Sequence, residues 1–217
     1  MIESHALADA VMALLLITNL LLLGFGYLNA CVRAVALQGL VVGLLPLIMG
    51  GGSPLWRVAA LTAVGMGIKG VVFPRMLSKL LRDVEVRREV EPFVGHGLSI
   101  ALGVGAMGFS LWVSSKLGPL VAARNAWMIS AGLATLLVGL FLIVSRRKAV
   151  SQVLGYIVLE NGVYTFGLAT VGHVPLLVEL GVLMDAFVAV FIMSIAAYHI
   201  SREFNHMDVD LLDKLRD

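Results

Sequence analysis

Apolar residues run along this chain in long, continuous blocks, and polar residues are confined to short stretches between them. The blocks cover roughly 6–28, 33–50, 54–78, 94–114, 122–144, 149–171 and 174–200. Each reaches or approaches the ~20 residues that a helix needs to cross a ~30 Å hydrocarbon core. The runs do not alternate, which excludes the outward-apolar, inward-polar pattern of a membrane barrel. The punctuation agrees: GGGSP (50–54), SSKLGP (114–119), SRRK (145–148) and GHVP (172–175) are turn-forming breaks. The pattern predicts an all-α polytopic membrane protein with seven transmembrane helices. Residues 78–92, SKLLRDVEVRREVEP, form the one sizeable loop and read as a short helix at the membrane surface. Residues 201–217 read as a polar tail.

Composition supports this fold class. Of 217 residues, 59% are hydrophobic and 14% charged, against about 25% charged in soluble domains. The positions of Lys and Arg set the orientation. With the N-terminus outside, the inner segments hold twelve of the sixteen basic residues, including Arg75, Lys79, Arg82, Arg87, Arg88 and Arg146 to Lys148. The outer segments hold three: Arg57, Lys116 and Arg124. The C-terminus is therefore expected in the cytoplasm. The net charge of +2 reflects topology and lipid headgroups, and calls for no nucleic acid. The lone cysteine, Cys31, can make no disulfide within the chain. LNAC (28–31) resembles a lipoprotein cleavage box, but no basic residue precedes the first apolar run, so residues 1–30 read as a retained helix.

Candidate chemistry follows from cost. A charged side chain at mid-membrane costs about 2.5–3.5 kcal/mol on insertion scales, so such groups face protein or water. Glu160 lies twelve residues past Lys148, ~18 Å into the membrane. Gln152, Tyr156, Glu160 and Tyr164 are spaced by four and share one helix face. Asp185 lies at nearly the same depth in the next span, with Gly181 and Ala189 allowing close approach. Two carboxylates in a low-dielectric site cannot both ionise cheaply. They can exchange a proton, or one can simply donate a hydrogen bond to the other. Lys69, between Gly67 and Gly70 and ahead of Pro74, is either a cationic relay partner for a carboxylate or a lysine that snorkels to the inner surface. Pro74 removes a helix hydrogen bond and is placed to kink the span. Glu179 sits ~8 Å below the outer end of span 7, where it meets interfacial water or caps an exit path. His96, His173 and His199 lie near interfaces without metal-ligand spacing. No phosphate loop, HExxH or GxSxG motif is present, and span 7 has no lysine for a retinal. No catalytic constellation emerges, and no cofactor site in this chain.

These residues carry a resemblance. From about Ala122 to His199, a basic loop precedes "GYIVLENG" with Glu160, and the next helix holds "LMDAFVAVFI" with Asp185. This resembles the K subunit of bacterial complex I and the C subunit of Mrp-type cation/proton antiporters. The whole chain, with "IKGVVFPRML", "LGYIVLENGVY", "VELGVLMDAFVAVFI" and "DVDLLDKLRD", resembles the hydrogenase-4 component E family of membrane-bound [NiFe] hydrogenase and formate hydrogenlyase complexes. Two features depart from the pattern. Asp185 stands where the complex I subunit has Glu, and the link between the acidic helices is shorter. The resemblance divides the chain into a four-helix extension (1–121), a three-helix K-like unit (122–200) and a cytoplasmic tail (201–217). It implies a non-catalytic subunit of an oxidoreductase complex in a bacterial or archaeal cytoplasmic membrane. Its implied neighbours are antiporter-like subunits, a membrane anchor and hydrophilic redox subunits. The [NiFe] centre and iron–sulfur clusters would belong to those partners. Glu160, Asp185, Lys69, Glu179, Tyr156 and Tyr164 would relay protons or sodium ions. A structural adaptor without ion conduction, or an independent small cation transporter, are the alternatives.

Overall fold

A computed structural model describes residues 2–49, 55–83, 93–117 and 123–171, with residues 181, 184, 188, 191 and 192 of the last predicted span. The elements are α1 (Ile2–Gly24), α2 (Leu28–Gly43), α3 (Leu45–Met49), α4 (Leu55–Gly67), a π-helical segment (Ile68–Val72), α5 (Phe73–Asp83), α6 (His96–Leu117), α7 (Ala123–Ser145) and α8 (Ala149–Val171). The described residues form no strand.

Among the described residues, five stretches are long and apolar enough to cross a membrane: Ala6–Gly24, Leu28–Met49, Val58–Lys79, His96–Leu117 and Ala126–Ser145. The chain is thus a multi-pass membrane protein. The sixth predicted span, α8, has 23 residues, enough to cross. It is not one of the five: Glu160 and Asn161 interrupt its apolar run. The seventh predicted span and the tail lie almost wholly outside the described residues.

On α6 exposure is inverted relative to a soluble protein. The large apolar side chains Leu98, Leu102, Val104, Phe109 and Trp112 face outward, while the buried positions are Ser99, Gly103, Ser110 and Ser114. Small residues inside let helices approach closely, and apolar residues outside meet lipid.

Glycine sets the tightest helix pair. Gly132 and Gly139 on α7, and Gly155 and Gly162 on α8, are each seven residues apart and so share a face. A Cβ built on Gly132 would lie 2.6 Å from the backbone N of Phe166, and one on Gly155 2.8 Å from that of Ile143. Helices α7 and α8 therefore touch backbone to backbone.

Span 3 changes its winding just ahead of Pro74. Pro74 has no N–H to offer the Gly70 carbonyl, so the ordinary helical ladder must break there. Upstream of it the chain widens into the π segment, where the Phe73 N–H reaches back to the Ile68 carbonyl. Such widened turns often mark functional sites. The helix then continues to Asp83, so the start of the predicted surface loop prolongs α5. Residues 84–92 lie outside the described set.

Two apolar clusters fill the core. One holds Leu22, Leu23, Val35, Phe73, Leu77, Val138, Ile157 and Val158. The other holds Met12, Leu15, Val42, Val58, Ala131 and Leu168. Along α1, α2, α7 and α8, and along span 3, each helix passes from one cluster to the other. Seven of the buried polar side chains fall in the gap: Thr18 and Asn19, Gln38, Lys69, Thr135, Glu160 and Asn161. A polar layer is sealed between two apolar ones.

Candidate functional site: a buried ion pair and its amide network

Lys69 reaches across this layer to Glu160. Its Nζ donates to Glu160 Oε1 at 2.7 Å, and to Asn161 Oδ1 at 3.3 Å. Lys69 is 8% exposed and Glu160 fully buried. The lysine therefore does not snorkel. The widened turn carries it inward, and Gly39 on α2 makes the room. A Cβ at position 39 would lie 2.9 Å from the Lys69 Cβ. The Tyr164 ring lies one helical turn beyond Glu160, with its centroid 5.6 Å from the ammonium, a geometry that favours a cation.

The hydrogen bonds continue away from the pair. Asn161 Nδ2 donates to Gln38 Oε1 at 3.2 Å. Gln38 Nε2 donates to Asn19 Oδ1 at 2.9 Å and to Thr18 Oγ1 at 3.2 Å. Asn19 Nδ2 donates to Thr135 Oγ1 at 2.8 Å, and Thr135 to the Ala131 carbonyl at 2.7 Å. Five spans contribute. Thr165 and Thr18 close their hydroxyls on the backbone of their own helices, so their polarity is satisfied locally. Glu160 Oε2 is buried and accepts no hydrogen bond among the described residues.

The sequence-derived stripe on α8 divides in the structure. Glu160 and Tyr164 meet Lys69. Gln152 donates to the Arg146 carbonyl, and half-buried Tyr156 lines a cavity of about 260 Å³ with Val153, Val188 and Phe191. Gly181 packs against the Tyr164 ring, whose Cδ2 would lie 3.3 Å from a Cβ there. Asp185, Glu179, His173 and His199 lie outside the described residues. Asn19, Gln38, Thr135 and Asn161 were not singled out from sequence. Their signal was an uncharged amide or hydroxyl inside an apolar run, which also needs a partner in lipid.

At the other end of α7, Arg146 departs from its expected role at the lipid headgroups. It is 2% exposed, and its Nη2 donates to the Leu23 carbonyl at 3.4 Å. Burial lowers its pKa from the ordinary arginine value. Phe93 is fastened to the same corner by its N–H to the Ser145 carbonyl, 2.8 Å, and by the Arg147 guanidinium over its ring. Among the described residues, no group of three or more His, Cys, Asp or Glu could hold a metal ion.

Comparison with known proteins gives a consistent picture. Residues 127–217 match the family described as NADH-ubiquinone/plastoquinone oxidoreductase chain 4L. Hydrogenase-4 component E of Escherichia coli K12 is 35% identical over 88 residues, spanning 41% of this chain and 41% of that protein. The same component of Shigella flexneri matches equally. An uncharacterized protein of Mycobacterium tuberculosis is 28% identical over 215 residues, covering 97% of this chain and 96% of its own. No solved structure matches. The resemblance read from the acidic helices is therefore found by comparison as well.

Proposed function

We propose that this chain is a membrane-arm subunit of a complex I-related hydrogenase or formate hydrogenlyase complex, and that the Lys69–Glu160 pair handles protons within it. The match of residues 127–217 to the chain 4L family and the likeness to hydrogenase-4 component E support the class. The observation that carries the role is the buried pair, 2.7 Å apart. Intramembrane ionisable pairs of this kind mark ion pathways.

In this reading residues 122–200 form the K-like unit and residues 1–121 extend it. Glu160 comes from the unit, while Lys69, Gln38 and Asn19 come from the extension. The extension thus supplies the cation and the amides that complete the site. A proton arriving at Glu160 Oε2 gives a neutral carboxyl and cancels the charge that holds the ammonium. Its departure restores the pair. Tyr164 stabilises the ammonium, Asp185 and Tyr156 continue the path, and Glu179 lies toward the outer surface. The chain crosses a bacterial or archaeal inner membrane seven times, with the N-terminus outside and the C-terminal tail in the cytoplasm. It links antiporter-like subunits to the redox module, whose partners hold the [NiFe] and iron–sulfur centres.

Purification from native membranes tests the class: antiporter-like and redox subunits should accompany the chain. A stable solo oligomer with cation uptake would sink it in favour of a transporter. Glu160→Gln tests the role. Coupling of electron transfer to the proton-motive force should be lost while the complex still assembles, and retained coupling would refute it.

A further inference from the structure

Resting on that reading, we infer that this site exchanges protons and excludes sodium and potassium, because the Lys69 ammonium occupies the place that a dehydrated metal cation would take. A metal cation gives up its water only where protein oxygens replace it. Among the described residues, the oxygens of the polar layer that converge on one point are Glu160 Oε1 and Asn161 Oδ1. Both accept from Lys69 Nζ, at 2.7 and 3.3 Å. The cation at that point is tethered to span 3 and cannot leave.

The amide network fixes this arrangement. An ammonium has donors only, so Asn161 must present its oxygen to Lys69 and its NH₂ to Gln38. Gln38 must then accept from Asn161 and donate to Asn19. Asn19 in turn donates to Thr135, and Thr135 to a backbone carbonyl. Every donor points away from the lysine. The series holds the Asn161 oxygen on that point, where the lysine already engages it, so a guest ion would have to displace the ammonium. Neutral side-chain amides neither gain nor lose protons near neutral pH, so this arm orients charge and does not conduct. The remaining buried acceptor of the pair is Glu160 Oε2. A proton bonds to it without a coordination shell. A metal ion there would have the ammonium beside it as a like charge.

The test is infrared difference spectroscopy on the purified complex, with Glu160 bands identified by their loss in Glu160→Gln. A pH step should produce a Glu160 carboxyl band. Replacing N-methylglucamine by sodium at constant pH should produce none. Lys69→Ala should open the oxygen pair and create a sodium-dependent Glu160 band, diminished by methylammonium. A sodium-dependent band in the wild type would overturn the exclusion, and so would an assembled Lys69→Ala complex that shows none. No pH-dependent band would overturn proton exchange at this carboxyl. Where Lys69→Ala fails to assemble, the two wild-type spectra decide. Sodium binding would leave the relay reading standing, whereas intact coupling in Glu160→Gln would sink the relay whatever the spectra show.

Discussion

Removing both halves of the Lys69–Glu160 pair should cost less than the sum of removing each half alone. At 2.7 Å the two charges attract by about 6 kcal/mol at an effective dielectric of about 20. Desolvating each ion costs several kcal/mol, so the intact pair contributes little net stability. Lys69→Met leaves Glu160 buried without its ammonium, and such a break typically costs about 3–5 kcal/mol. Glu160→Gln should fall at the low end of that range, because the new amide oxygen can still accept from Lys69. The double variant Lys69→Met/Glu160→Gln removes both charges and leaves a nearly isosteric core. Its cost should be smaller than the sum of the singles by about 2–3 kcal/mol. The assay is reversible unfolding in mixed micelles by sodium dodecyl sulfate, for all four corners of the cycle. Additivity within about 0.5 kcal/mol would mean that the two groups do not sense each other, and the geometry described above would be wrong.

Other outcomes follow from single positions. Gly132→Val puts a side chain on the Phe166 backbone, 2.6 Å from the first added carbon. It should cost about 1–3 kcal/mol in the same assay, while Gly105→Ala, with nothing within 4 Å, should be silent. Gln38→Leu strips partners from Asn161 Nδ2 and Asn19 Oδ1, at about 1–3 kcal/mol for each orphaned group; a loss under 0.5 kcal/mol, well below that range, would refute the network. Cys31 is buried, so it gives a quiet background for membrane-impermeant thiol reagents. Lys116→Cys should label from outside and Lys148→Cys only from the cytoplasmic side, and the reverse would invert the topology.

The sequence made the helices legible because lipid admits few alternatives: a continuous apolar run must satisfy its backbone within itself. Glu160 and Lys69 were legible because ionised groups at depth are costly. Their pairing was not. They lie 91 residues apart, and contact depends on a widened turn before Pro74 and on the absence of a side chain at Gly39. Neither feature has a periodic signature. Asn19 and Gln38 escaped notice because a single amide in an apolar run looks like tolerated polarity until its partner is seen. Arg146 was misjudged for a related reason. A basic residue beside a turn marks the inner surface, but whether it points to headgroups or folds back under α1 is decided by packing.

The proposed role of Glu160 is to pass protons as part of energy conversion by a larger membrane complex. Its most direct test is the proton-to-electron ratio of that complex in sealed liposomes, with wild type and Glu160→Gln compared at equal amounts of assembled complex. Glu160→Gln should transfer electrons without the full proton yield. An unchanged ratio would contradict that role.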